Sequence, residues 1–275
     1  MMRKSVKWAL GIGAVIVVLI AIGKKDESPN TPEGWKQISL DPRGAAFAQV
    51  LLAQDLAFYL DGGKSTEFWK SRVPLGERIS SRKFYSIYHA NEISADERFK
   101  GKPVVITGAI GGINKDAFGN AYLALDGGGM FSTVHANLAD ETEAMAGRFA
   151  KGNNVTLFCV GGTMIIGFPV VEKCQSRDAM VNVNSRQAGD AIRTVMTGDS
   201  SGMDAKERQF IALLYLTGTV LPEGSACETA TVSNFDDCEK DLSKNNPMNS
   251  QEVKDKYSEL QKKLDLPSLT IGAGK

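Results

Sequence analysis

Between residues 104 and 174 five short apolar runs alternate with turn-forming residues, a pattern only a small β-structure satisfies. Residues 104–113 are β-branched and contain Gly108 and Gly111, which predicts a strand bent or bulged at one of those glycines. Residues 114–120, NKDAFGN, have the composition of a hairpin loop. Residues 121–125 form the second strand, 126–129 the next turn and 130–136 the third strand. Residues 138–151, LADETEAMAGRFAK, place Leu138, Met145 and Phe149 on one side of a helix closed by Gly152-Asn153. Two further strands, 154–160 and 168–174, are joined across GGTMIIG by a turn centred near Ile166. The order is three strands, a helix and a hairpin.

Helical patterns flank this β-unit. Residues 42–60 repeat Phe47, Val50, Leu51, Leu52, Leu56 and Leu60 near helical spacing and end at Asp61-Gly62-Gly63. Residues 82–99 place Phe84, Ile87, Tyr88 and Ile93 near one stripe and predict a single helix. Residues 204–216 open on an aspartate cap, and 250–264 carry a narrow stripe of Val253, Tyr257, Leu260 and Leu264. The chain therefore divides into a signal or anchor segment (1–25), a tether and helical segment (26–81), a β-domain (82–178) and a C-terminal helical region (179–275).

The first 25 residues speak to location. Arg3, Lys4 and Lys7 precede a run from Trp8 to Gly23 that contains no charge, and Lys24, Lys25, Asp26 and Glu27 follow it. Basic flanks stay in the cytoplasm, so everything downstream is exported. Three readings stand: an uncleaved single-pass inner-membrane anchor with the domain in the periplasm, a signal peptide cut after a small-x-small tripeptide to give a secreted or periplasmic protein, and a buried helix. The four cysteines fit export. Cys159 and Cys174 lie 15 residues apart, Cys227 and Cys238 lie 11 apart, and none forms a CxxC. Two local disulfides are expected in an oxidising compartment; four separate buried thiols are the alternative. Strands 154–160 and 168–174, folded about Ile166, bring Cys159 opposite Cys174.

Known catalytic patterns are missing from the sequence. Gly62-Gly63-Lys64-Ser65 ends like a phosphate-binding loop, but Phe58 holds the place of its first glycine and a helix precedes it. Gly127-Gly128-Gly129 lies between two strands with no helix to receive a pyrophosphate. The only histidines, His89 and His135, have no second ligand at metal spacing. We expect no enzyme, no cofactor and no metal. Lys plus Arg equals Asp plus Glu, 32 against 32, and residues 81–178 hold ten of each sign, so nucleic acid is disfavoured as a partner.

Five strands with a helix between the third and fourth is the plan of an OB-fold barrel, an α+β domain flanked here by N- and C-terminal helices. Ala90-Asn91-Glu92, Ala95-Asp96, Phe99-Lys100-Gly101-Lys102, Thr107-Gly108, Cys159 and Lys173-Cys174 resemble the tRNA_anti-like family of OB-fold proteins over residues 85–176. The resemblance implies a fold and supports the Cys159–Cys174 pairing; it implies no activity. The first functional expectation is an envelope-anchored, non-enzymatic module that binds a protein or a glycan. The alternatives are a single-stranded nucleic-acid binder acting in DNA uptake or conjugation, and an inhibitor or immunity protein against an exported enzyme. Lys115, Tyr122, Phe131 and His135, on or beside the second and third strands, are the candidate ligand contacts, and the same side chains also suit a core.

Overall fold

The computed structural model describes residues 40–64, 67–198, 202–245 and 247–269; the expected anchor or signal segment lies outside them. Among the described residues no helix is long and apolar enough to cross a membrane. The described residues form two compact units, one of Lys70–Val183 and one of those up to Trp69 together with those from Asn184 onward. In chain order the elements begin with α1 (Pro42–Leu60), α2 (Glu67–Arg72), β1 (Glu77–Ser80), α3 (Ser81–Ala90) and α4 (Glu92–Phe99). The barrel strands follow: β2 (Pro103–Lys115), β3 (Ala121–Asp126), β4 (Thr133–Leu138), then α5 (Asp140–Glu143), β5 (Asn154–Ile165) and β6 (Phe168–Ser176). The chain continues through α6 (Arg177–Met196), α7 (Ala205–Thr219), α8 (Asp236–Asn245) and α9 (Gln251–Leu264).

Strands β2, β3, β4, β6 and β5 pair in that order, and β5 returns to β2, closing a five-stranded barrel. Only β4 and β6 run parallel within it; the other pairs are antiparallel. This is the OB-fold arrangement. Strand β1 adds a parallel neighbour to residues 104–107 of β2. The β2–β3 register slips between Ile110 and Gly112, so the expected bulge falls at Gly111. Alternation turns Leu123, Leu125, Val134 and Ala136 inward, where they meet Phe84, Tyr88 and Phe99 from the helices. The Phe84 ring lies 4.9 Å from both Tyr88 and Phe99. The Cys159–Cys174 bond joins β5 to β6 inside this core. Between Phe158↔Gln175 and Val160↔Glu172 a single residue, Cys159, faces two, so Lys173 is extra and takes a left-handed φ of 51°. Without that bulge Val171 and Cys174, three apart, could not both point inward.

Three expected elements differ. The helix over 82–99 is two helices, because Asn91 leaves helical geometry (φ −164°, ψ 101°) and its side chain caps α4 by accepting from the Ser94 N–H at 3.1 Å. The break turns Ile93 out to 77% exposure, and Ala95 and Phe99 fill the core in its place. The helix over 138–151 shrinks to α5 and a 3-10 turn at Ala146–Arg148. Leu138 still belongs to β4, Ala139 offers no capping side chain, and the Thr142 hydroxyl accepts from the Ser176 N–H at 3.0 Å, tying the turn to β6. The third strand starts at Thr133, not at 130, because the Ser132 N–H donates to the Gly129 carbonyl at 3.1 Å and leaves Met130 and Phe131 in a turn. Strand β1 and helices α2, α6 and α8 were not foreseen as separate elements.

In the second unit α1 is capped by Asp41, whose carboxylate accepts from the Arg43 and Gly44 N–H groups. Helix α7 opens with a capping box between Asp204 and Glu207. Helices α1 and α7 approach so closely at Gly44 that a Cβ there would lie 2.8 Å from the Tyr215 carbonyl. Helix α9 buries Val253, Tyr257 and Leu264 of its expected stripe. Cys227 and Cys238 are bonded, and no free cysteine remains.

Candidate binding face

The inward set of β3 (Ala121, Leu123, Leu125) leaves Tyr122 on the outer surface of the barrel, and that of β4 (Val134, Ala136, Leu138) leaves His135 there. His135 pairs with Val170 of β6, so Phe168, two residues earlier, shares its face. Three rings therefore follow one another across three strands. Tyr122 lies 4.7 Å from His135 at 35°, and His135 lies 4.6 Å from Phe168 at 11°. All three are half-buried. Tyr122 follows the β2–β3 loop and Phe168 follows the β5–β6 turn, so the series links those two loops obliquely. Burial holds the His135 imidazole below its ordinary value, which keeps it neutral at neutral pH.

The expected contact residues separate. Tyr122 and His135 come together. Lys115 ends β2 opposite Ala121 with its side chain exposed, beside the strip and not within it. Phe131 stands 85% exposed in the β3–β4 loop, outside the ring series. Phe168 was missed, since its place depends on the parallel β4–β6 register, which no local pattern carries.

Several cations of the barrel unit already hold carboxylates. Arg82 meets Asp126 at 2.6 Å, Arg98 meets Glu77 at 2.5 Å, and Lys100 meets Asp96 at 3.3 Å. The Gly128 N–H, and then Arg82, hold the Asp126 carboxyl below its usual range. Among the described residues no group of three or more His, Cys, Asp or Glu side chains is placed to hold a metal ion.

Most of the motif residues that carry the family resemblance sit elsewhere, where α3 and α4 meet the barrel, while Lys173 and Cys174 lie on β6. Burial alone would raise the Asp96 carboxyl, but donors from the Thr163 hydroxyl at 2.9 Å and from Lys100 overcome it and leave it below its ordinary value. Gly101, with φ 72°, lets its N–H reach the Gly161 carbonyl at 2.8 Å, and the Gly161 N–H returns to Lys102 at 2.9 Å. A Cβ at Gly108 would lie 2.2 Å from the Ser81 hydroxyl, which donates to the Asp126 carbonyl at 2.5 Å. Each of these residues builds the fold, and none touches the ring strip.

No curated protein matches the chain. A solved structure from Klebsiella pneumoniae subsp. pneumoniae MGH 78578, a "putative nucleic acid-binding lipoprotein", is similar at 16% identity with a TM-score of 0.33. The alignment covers 41% of this chain and 98% of that one. The model of the tRNA_anti-like family matches residues 1–175, and with its closed five-stranded barrel the chain belongs to that family.

Proposed function

We propose that this protein is an exported, membrane-anchored, non-enzymatic binding module whose barrel engages a protein partner through Tyr122, His135 and Phe168. Two disulfides fit an oxidising compartment, and the basic residues ahead of the Trp8–Gly23 run favour a periplasmic domain.

The observation that carries the choice of partner is the way the rings face one another. A nucleobase or a sugar stacks on a free ring face. Here the faces of His135 are turned to Tyr122 and Phe168, which leaves mainly edges and the two ends of the series to solvent. Ring edges in a half-buried apolar strip suit side chains of another protein. A second reading, single-stranded nucleic acid, is favoured by the position of the strip on strands that OB barrels use for oligonucleotides. The balanced charge, the paired cations and a neutral His135 weigh against it.

Photo-crosslinking in cells tests the reading, with p-benzoylphenylalanine at position 122 or 168 of the full chain. One protein adduct of the same mass is expected from both positions, and none from Lys83 on α3. Adducts sensitive to nuclease or to glycosidase would overturn it.

A further inference from the structure

We propose that the end of the barrel formed by the β3–β4 and β5–β6 loops rests on a lipid surface. The inference builds on the reading that the Trp8–Gly23 run anchors the chain.

Four large apolar side chains stand in water at this end. Met130 is 92% exposed, Phe131 85%, Ile166 92% and Ile165 50%. Their loops share one end of the barrel, because each leads directly into one of two neighbouring parallel strands. His135 of β4 pairs with Val170 of β6, so Thr133 and Phe168, the first residues of those strands, lie level. Residues 127–132 and 163–171 contain no charged side chain.

The side chains are held out. The Gly127 N–H reaches the Ser132 carbonyl at 2.8 Å and the Ser132 N–H reaches Gly129 at 3.1 Å, which places Met130 and Phe131 at the two central positions of a turn. Asp126 braces its base, accepting from the Gly128 N–H at 2.8 Å and from Arg82. In the other loop Ile165 pairs with Phe168, and both central residues are left-handed, Ile166 at φ 49° and Gly167 at φ 83°. Asn-Gly is the usual pair at such a turn. A β-branched residue there is an outlier, and this one is almost wholly exposed. Neither the backbone nor the core gains from isoleucine at this position, so its use lies outside the fold.

A lipid surface is the occupant that the chain itself supplies. The uncharged run ends at Gly23, and the sixteen residues from Lys24 lead to Leu40, which a fully extended chain keeps within roughly 55 Å of the bilayer. Apolar, uncharged loop tips suit insertion at the interface, whereas scattered single apolar residues would need no explanation.

The test is hydroxyl-radical footprinting of the full chain in phosphatidylcholine–phosphatidylglycerol vesicles. Each rate is divided by that of the same residue in the urea-unfolded chain. Phe118 is the internal reference: it is 91% exposed in the β2–β3 loop, at the other end of β3. Met130, Phe131 and Ile166 are expected to react at least fivefold more slowly than Phe118 on this scale. Equal rates would overturn the contact, and so would protection that grows with the number of chains per vesicle, which means a second copy covers the tips. Carbonate extraction of the same vesicles reports the anchor by itself, so failure of the anchor and failure of the contact are seen separately.

Discussion

Where α3 and α4 meet the barrel, side chains and backbone interlock; where the β3–β4 and β5–β6 loops end it, large apolar side chains are held in water. Tyr88 donates to the Gly162 carbonyl at 2.9 Å and Thr163 donates to Asp96, while Phe84 and Phe99 fill the space between helix and sheet. At the other place Met130, Phe131 and Ile166 touch little of their own chain, and one of them adopts a backbone conformation its side chain disfavours. Most of the residues that identify the family belong to the first region. Membership therefore specifies the scaffold and leaves the partner unspecified.

Gly161→Ala should have the largest effect. A Cβ at this position would lie 2.1 Å from the Phe99 carbonyl, a backbone atom that cannot move without carrying α4 with it. We expect a loss of about 3 kcal/mol in urea denaturation, at the upper end for overpacking. A cost within error would mean that helix and barrel do not interlock, and the contrast between the two regions would fail.

How much of this the sequence revealed follows the range of the interactions. Helix α1 was legible at both ends, because Asp41-Pro42 and Asp61-Gly62 are local start and stop signals. The Cys159–Cys174 bond was legible because it spans a hairpin with a recognisable turn. The break at Asn91 was hidden by an apolar stripe that continues across it to Ile93. The start of β4 was obscured because exposed Met130 and Phe131 look, in sequence, like residues of a strand. Phe168 could not be assigned to the ring strip, since the Lys173 bulge shifts the alternation of β6 and the β4–β6 pairing is long-range.

A smaller effect is expected at the strip, which lies between the two extremes. Burial lowers the His135 pKa in the folded chain, so the unfolded chain takes up the proton first on acidification. Stability is then full above the ordinary histidine value and falls as pH drops from that value through the lowered one. His135→Gln should flatten this part of the profile when melting temperature is followed from about pH 8 to about pH 5. An unchanged slope would show that the imidazole is not held neutral in the ring series.

The smallest change is expected at the loop end, which is kept at the expense of the fold. Ile166→Asn supplies a residue that accepts the left-handed conformation and removes an exposed apolar side chain. A gain of about 1 kcal/mol is expected, seen as a rise in melting temperature of roughly 2–4 °C with the circular dichroism spectrum unchanged. A fall in melting temperature would contradict it, because Ile166 would then be stabilising the barrel.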